Sequence, residues 1–226
     1  MSPPGRPKGE YRSAKHEGTP MSTKDHWNSV YGSESPESVS WYAAHLRESL
    51  RYVQRAAPRK HAAIIDVGGG ESTLVDDLLG EGYVELTVLD ISKKALDEAR
   101  RRVGPLARYV GWRVADVLAT ELQPAQYDVW HDRAVFHFLT TAEERHRYVA
   151  QVLKALKPGG FAIVGTFGPE GPDQCSGLPV CRYDPDQLHG AFGEPFQLLD
   201  SSIDVHRTPW GAPQQFTYCF CRRLAQ

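Results

Sequence analysis

The fold is decided by the stretch Ala62-Ala63-Ile64-Ile65-Asp66-Val67-Gly68-Gly69-Gly70-Glu71-Ser72. Its apolar half predicts a buried strand, and the leucines and valines that follow at helical spacing predict a helix ending at Gly80. Glycines between a strand and a helix let the backbone turn tightly and approach a ligand beside the free N–H groups of the helix N-terminus. The stretch therefore predicts a strand–loop–helix unit with a ligand site in its loop.

The alternation of strand and helix continues along the chain. Ser92 is suited to cap the next helix, and Thr140 or Thr141, with Glu144, is suited to cap an amphipathic helix over 141–156. Such alternation implies a parallel sheet covered on both faces, which is a three-layer, doubly wound α/β fold. The last two strands are separated only by a turn and predict an antiparallel hairpin at the sheet edge. The strands predicted after the first are 83–89, 109–114, 127–130, 161–167, 196–205 and 215–222.

The N-terminal part of the chain has a different composition. Residues 1–24 are rich in Pro, Gly, Ser, Lys and Arg, which predicts a disordered tail, and Met21 is a candidate alternative start. Residues 25–226 then form a single domain, since 226 residues suffice for one substantial core. A helix is predicted over 37–57, because apolar residues recur there at helical spacing and Pro58 follows.

Charge and hydropathy exclude several classes of function. The formal net charge is −2, with Lys and Arg spread along the chain, so a mainly electrostatic nucleic-acid binder is not expected. No apolar run approaches the roughly 20 residues of a membrane-spanning helix, and no hydrophobic stretch follows the basic N-terminus as in a secretory signal. We expect a cytoplasmic protein without a membrane partner. The composition does not indicate which oligomeric state the protein adopts.

The four cysteines are expected to be free thiols. Without a secretory signal a disulfide framework is not expected, and the spacing of Cys219 and Cys221 fits no usual zinc pattern. Both lie on one face of a predicted strand, where buried thiols are typical.

Acidic residues end three consecutive predicted strands. A dinucleotide site would want glycine at position 73, which is Thr, and Glu71 places a negative charge where a pyrophosphate would lie. Both departures favour a ligand without phosphates. Asp90 follows Gly70 by 20 residues, where a carboxylate accepts hydrogen bonds from ribose hydroxyls, and Asp116 follows the third strand, near an expected adenine amino group. Each acid alone could be a helix cap, but the three in order indicate a nucleoside site.

These motifs together resemble the class I S-adenosylmethionine (SAM)-dependent methyltransferases. The resemblance spans Ile64 to Phe167 by motif and nearly the whole chain by topology. It implies the Rossmann-like methyltransferase fold, a mostly parallel seven-stranded sheet with an antiparallel C-terminal hairpin. The matching segments are Asp66-Val67-Gly68-Gly69-Gly70, Val88-Leu89-Asp90-Ile91-Ser92, Val114-Ala115-Asp116-Val117, Tyr127-Asp128-Val129-Trp130-His131-Asp132-Arg133 and Leu156-Lys157-Pro158-Gly159-Gly160.

The resemblance also implies which residues bind SAM and its product, S-adenosylhomocysteine. Asp66 and the glycines would line the methionine end, Asp90 with Ile91 the ribose, and Asp116 with Val117 the adenine. Trp27 and Tyr31 lie where family members fold an N-terminal segment over the cofactor; covering an exposed edge of the core is the alternative. The implied cofactor-binding residues are Trp27, Tyr31, Asp66, Gly68, Gly69, Gly70, Asp90, Ile91, Asp116, Val117 and His131.

Catalytic candidates cluster after the fourth strand. His131 is the preferred general base because it lies beside the expected methyl position and titrates near neutral pH, with Asp132 as the second candidate. A structural or cofactor-contacting histidine is the alternative for His131, and packing within a helix is the alternative for His137. The long loop 168–183 is predicted to be a lid over the acceptor. The candidate acceptor residues are Trp41, His137, Cys175, Arg182, Tyr183, His206 and Trp210.

The acceptor is predicted to be a small molecule, because the chain is compact, near neutral in charge and without a recruitment domain. Thiols and other soft nucleophiles are included. The alternatives are a protein side-chain methyltransferase, a non-catalytic SAM-binding protein, and an NAD(P)-dependent oxidoreductase, which Glu71 and Thr73 disfavour.

Overall fold

The computed structural model describes residues 23–33 and 35–225, and the predicted tail lies outside these residues except for Thr23 and Lys24, which begin the first helix. The helices are α1 Thr23–Ser33, α2 Arg47–Ala56, α3 Leu74–Gly80, α4 Lys93–Val103, α5 Ala142–Ala155 and α6 Pro185–Phe192. The strands are β1 Ile64–Val67, β2 Leu86–Asp90, β3 Val110–Val114, β4 Tyr127–Arg133, β5 Leu156–Phe167, β6 Gln174–Cys175, β7 Leu178–Pro179, β8 Phe196–Arg207 and β9 Pro213–Arg223.

Seven strands form one sheet in the order β3-β2-β1-β4-β5-β9-β8. The first five are parallel to one another, whereas β9 pairs antiparallel with both β5 and β8. The predicted parallel sheet and terminal antiparallel hairpin are therefore confirmed. The chain order reverses direction across the sheet between β1 and β4, and in open α/β sheets this is where ligands bind, beyond the carboxyl ends of the strands.

Hydrophobic clusters cover both faces of the sheet, which makes three layers. On one face Tyr148 and Val152 of α5 and Leu188 of α6 pack against the sheet. On the other face Val53 of α2 and Leu78 of α3 are fully or almost fully buried. β1 lies between these layers, and all four of its residues are buried, as its continuous apolar sequence predicts.

The predicted helix starts are confirmed by side-chain caps. Ser92 Oγ accepts a hydrogen bond from Ala95 N at 3.3 Å, and Thr141 with Glu144 forms a reciprocal capping box at the start of α5. Capping fixes α4 directly after β2, so the end of β2 is held beside the first turn of α4.

The predicted helix over 37–57 is wrong in its first half. Only Pro36–Ser38 forms a 3₁₀ turn, and α2 begins at Arg47. Backbone carbonyls of the intervening segment accept tertiary hydrogen bonds instead of helical ones: Trp41 O from Arg133 and Ala43 O from Thr73. Side chains distant in sequence thus hold the segment in a non-helical path.

Two further expectations change in detail. β5 begins at Leu156 rather than 161, and a register shift against β4 accommodates the Lys-Pro-Gly-Gly turn inside the strand. The predicted lid loop 168–183 contains the small β6–β7 hairpin. All four cysteines are free, with Cys219 and Cys221 buried on one face of β9. Within the described part of the chain, every helix is too short or too polar to cross a bilayer.

Candidate active site

A cavity of about 430 Å³ opens at the carboxyl ends of β1, β2 and β4. This volume lies within the range of about 300–1,000 Å³ that is typical of small-ligand sites. Seven of the predicted cofactor residues line it: Trp27, Tyr31, Gly68, Asp90, Ile91, Asp116 and Val117. The structure thus brings together side chains from α1, the glycine loop and the ends of β2 and β3.

The glycine loop forms one wall, and it requires glycine for steric reasons. Gly68 has φ +66°, and a Cβ there would lie 1.9 Å from Cγ2 of Val135. Gly70 has φ +39°, and its Cβ would lie 2.8 Å from the Tyr31 hydroxyl and 3.0 Å from Oδ2 of Asp90. Gly70 itself lines neither cavity, so its role is to let the loop pass beneath Tyr31 and Asp90.

A second, smaller cavity of about 40 Å³ adjoins the first, and both are lined by Tyr31, Trp41, Gly68 and Arg133. Asp66, Gly69 and His131 line only the smaller one. Asp66 is buried, and its Oδ2 has no hydrogen-bond partner. A buried acceptor of this kind is suited to a donor from a ligand, because an unmatched buried carboxylate oxygen is costly.

His131 belongs to a buried chain of hydrogen bonds. Its Nδ1 lies 2.7 Å from Oδ1 of Asp66, and its Nε2 lies 2.8 Å from Oγ of Ser49, which in turn lies 3.1 Å from the hydroxyl of Tyr218. Both ring nitrogens of His131 therefore have partners within the protein, and the contact with Asp66 fixes the orientation of that carboxylate, which favours the structural alternative. The role of His131 as a general base stays a prediction.

The contacts of Asp132 are those of a structural residue, and its role as the second candidate base stays a prediction. It is fully buried, and its two carboxylate oxygens accept hydrogen bonds from Val135 N at 2.9 Å and Phe136 N at 3.1 Å. The Tyr148 hydroxyl donates a further hydrogen bond to Oδ2. Burial raises the pKa of Asp132 to about 6, against the lowering effect of the Tyr148 hydrogen bond. These contacts hold the 3₁₀ turn Phe136–Phe138 against the end of β4.

Two acids beside the glycine loop, here called the donor-side acids, have raised pKa values. Burial raises the pKa of Asp90 to about 7, opposed by the backbone hydrogen bond from Ser92 N at 2.7 Å. Burial also raises the pKa of Glu71 to about 7, and its Oε2 has no partner. Glu71, expected only to disfavour phosphate, lines the smaller cavity. Perturbed pKa values in a cavity are typical of binding and catalytic sites.

Helix α1 covers the large cavity with aromatic rings. The ring centroid of Trp27 lies 5.9 Å from that of Tyr31, 6.1 Å from that of Trp41 and 5.2 Å from that of Phe138. Burial, followed by the charges of Asp90 and Glu71, raises the pKa of Tyr31 well above its usual value. The aromatic residues of α1 therefore lie over the donor-side acids as well as covering the core.

Of the seven predicted acceptor residues, only Trp41 and Cys175 line the large cavity. His137 and Tyr183 are buried in the core, because the first packs on Phe167 and the second on Phe136. Two of the remaining three form hydrogen bonds with backbone carbonyls: Arg182 with those of Pro169 and Gly171, and His206 through Nε2 with that of Ser40. Trp210 lies outside the cavity and is 64% exposed.

Arg133 is a site residue that the sequence analysis missed. It ends β4, lines both cavities and donates from Nη1 to Trp41 O at 3.2 Å. Its position could have indicated this role, because Arg133 directly follows His131 and Asp132 at the carboxyl end of the central strand β4. The hairpin residues Leu178 and Pro179 were likewise missed, since only the tertiary fold places them at the cavity.

Comparison with known proteins agrees with this geometry. The model of a methyltransferase domain family matches residues 64–160. The chain is 22% identical over 193 residues to EEF1A lysine methyltransferase 2 of Danio rerio, covering 79% of this chain and 77% of that protein. It is 28% identical over 147 residues to the malonyl-[acyl-carrier protein] O-methyltransferase of Halalkalibacterium halodurans, covering 57% and 53%.

Among solved structures, a SAM-dependent methyltransferase of Anabaena variabilis superposes with a TM-score of 0.68 at 17% identity, covering 89% of this chain and 95% of that one. The fold, the glycine loop and the family match all favour a methyltransferase over the oxidoreductase alternative. The family match, the methyltransferase relatives and the fold together support a class I SAM-dependent methyltransferase that uses SAM as its methyl donor.

Proposed function

We propose that the protein methylates a small molecule that binds inside the 430 Å³ cavity beside the donor. The observation that carries this proposal is the cover of the cavity. Trp27 and Tyr31 of α1 line it from one side, and Cys175, Leu178 and Pro179 of the β6–β7 hairpin line it from another. A cavity of this volume suits a compact ligand, and the part of an acceptor that lies against these residues is shielded from water.

The residues present fit SAM. Asp66 would accept a hydrogen bond from the donor's ammonium group through its unpartnered Oδ2. Asp90, buried at the end of β2, would accept from the ribose hydroxyls, and Asp116, which is exposed, would receive the adenine amino group beside Val117. Gly68 leaves room for close approach of the donor, and Trp27 and Tyr31 would cover it.

Bound SAM supplies an already activated methyl group, so the protein's task is alignment and exclusion of water. His131 and Asp132 are buried and hydrogen-bonded within the protein, which weighs against a role for either as the base. Among the described cavity-lining residues near the hairpin, Cys175 has its pKa raised to about 11 by burial and is therefore a neutral thiol near pH 7.

Lysine methylation of a protein is the second candidate, and the similarity to the EEF1A lysine methyltransferase supports it. Arg133 weighs against it. A guanidinium that lines the cavity would repel a lysine ammonium and raise the cost of its desolvation. The small-molecule acceptor is therefore the better supported of the two.

The test is an acceptor screen that measures S-adenosylhomocysteine formation from SAM. One pool contains small molecules with carboxylate, thiol, phenol and amine groups, and the other contains folded proteins and peptides. We expect turnover with the first pool only, and no turnover with the Asp66→Asn variant. Turnover confined to the protein pool would contradict the proposal and favour lysine methylation.

A further inference from the structure

Arg133 is a cation without an anionic partner among the described residues. Among the residues that the structure describes, it forms no ion pair with an Asp or Glu side chain. Its guanidinium lies 4.1 Å above the ring of Phe216, and its Nε is buried without a hydrogen-bond partner. Buried charged groups in proteins are normally paired, so an unpaired guanidinium at a cavity wall indicates an anion supplied by a ligand.

Arg133 lines the large cavity together with Trp41 and Cys175, and it also lines the smaller cavity that contains Asp66. Its charge lowers the pKa of His137 and of His206, in both cases after burial, and opposes the rise at Cys175. These groups belong to the 3₁₀ turn, β8 and the hairpin. In contrast, the pKa values of Asp90 and Glu71 on the donor side respond to burial and to other charges, with no contribution from Arg133.

Arg133 supplies one positive charge to this part of the cavity, and its neighbours add no second one. His137 is fully buried and its pKa is lowered to about 3, so it is neutral near pH 7. The other arginine that lines the cavity, Arg147, is exposed on α5. One guanidinium with its Nε–H available matches a monoanion with two coplanar oxygens, because the guanidinium fork and a carboxylate pair through parallel hydrogen bonds.

We propose that Arg133 anchors a carboxylate of the methyl acceptor, so that the substrates are small carboxylic acids. The inference rests on the proposed function and narrows it to one substrate class. Phe216 below the guanidinium and Trp41 beside it hold the group in place, so the fork is preorganised for its ligand.

The test uses benzoate as the probe and benzamide as its neutral isostere. Each is titrated into the complex of the protein with S-adenosylhomocysteine, and binding is followed by tryptophan fluorescence, since Trp27 and Trp41 line the cavity. We expect benzoate to bind at least about tenfold more tightly than benzamide, as a charge-assisted bidentate pair implies. The Arg133→Gln variant should lose this preference, Arg133→Lys should keep part of it, and Arg101→Gln, at an exposed position of α4 that lines neither cavity, should match the unmodified protein.

Two results would overturn the proposal. Equal affinity for benzoate and benzamide in the unmodified protein would show that Arg133 recruits no carboxylate. A loss of affinity for S-adenosylhomocysteine in Arg133→Gln, without a loss for 5′-methylthioadenosine, would show that Arg133 pairs with the donor's own carboxylate. Because the titration does not measure turnover, failure of the acceptor screen and failure of the anion site are distinguishable. Arg133→Lys keeps the positive charge, so partial binding by this variant would show that the loss in Arg133→Gln does not come from misfolding.

Discussion

Replacing Asp90 by Asn is expected to stabilise the cofactor-free protein above neutral pH while weakening its binding of S-adenosylhomocysteine. Asp90 is 5% exposed, and burial raises its pKa from 3.8 to about 7. Asparagine keeps the oxygen that accepts the Ser92 N–H at 2.7 Å and cannot ionise. The substitution therefore removes the cost of a buried charge without removing the cap-like hydrogen bond.

The sign and size follow from proton linkage. Unfolded Asp90 loses its proton near pH 4, whereas the folded protein keeps it until about pH 7, so the free energy of unfolding falls as pH rises through this window. A shift of about three pKa units at about 1.4 kcal/mol each gives an upper bound of about 4 kcal/mol above pH 7. Between about pH 5 and about pH 8, the advantage of Asp90→Asn should grow by about 2.6 kcal/mol.

The measurement is urea unfolding of both proteins at about pH 5 and about pH 8, with calorimetric titration of S-adenosylhomocysteine. Affinity should fall roughly ten- to a hundredfold, since a hydrogen bond to a charged group contributes about 1.5–3 kcal/mol. Asp97→Asn, on the exposed face of α4, is the matched control and should change neither quantity. Because Glu71 also titrates near 7, some pH dependence will persist in the variant. Stability that is lowered equally at both pH values, or unchanged affinity, would refute the placement of Asp90 as a buried ribose acceptor.

Two further substitutions separate backbone geometry from side-chain orientation. Gly68→Ala should destabilise the protein by about 1–3 kcal/mol, because φ is +66° and the new Cβ would clash with Val135. Gly80→Ala is the control, since a Cβ at Gly80 has no neighbour within 4 Å. Chemical unfolding of both variants tests this, and equal losses of stability would contradict it. His131→Ala should lower stability by about 2–4 kcal/mol and weaken S-adenosylhomocysteine binding, because it leaves Asp66 without its buried partner. A variant that bound normally but lost only turnover would favour the general-base interpretation.

The sequence was sufficient for features that follow from local pattern. The glycine loop after β1 and the acid after β2 follow directly from strand–helix alternation, because parallel strands bring their carboxyl ends to one edge of the sheet. Asp90, Asp116 and Gly68 line one cavity for this reason, although 48 residues separate the outer two. Capping of α4 and α5 was likewise predictable, since caps depend on residues three positions apart.

Tertiary structure alone decided the functions of the side chains around that edge. His131 and Asp132 are adjacent in sequence to the expected methyl position, yet Ser49, 82 residues away, occupies one ring nitrogen of His131, and Tyr148 contacts Asp132. The segment before α2 is not helical, because Arg133 and Thr73 hold its carbonyls. Periodicity specifies which face of an element is buried, but the partner that meets a buried polar group is supplied by distant parts of the chain. Whether such a group is bound within the protein, as at His131, or left for a ligand, as at Arg133, is therefore fixed only when the layers pack together.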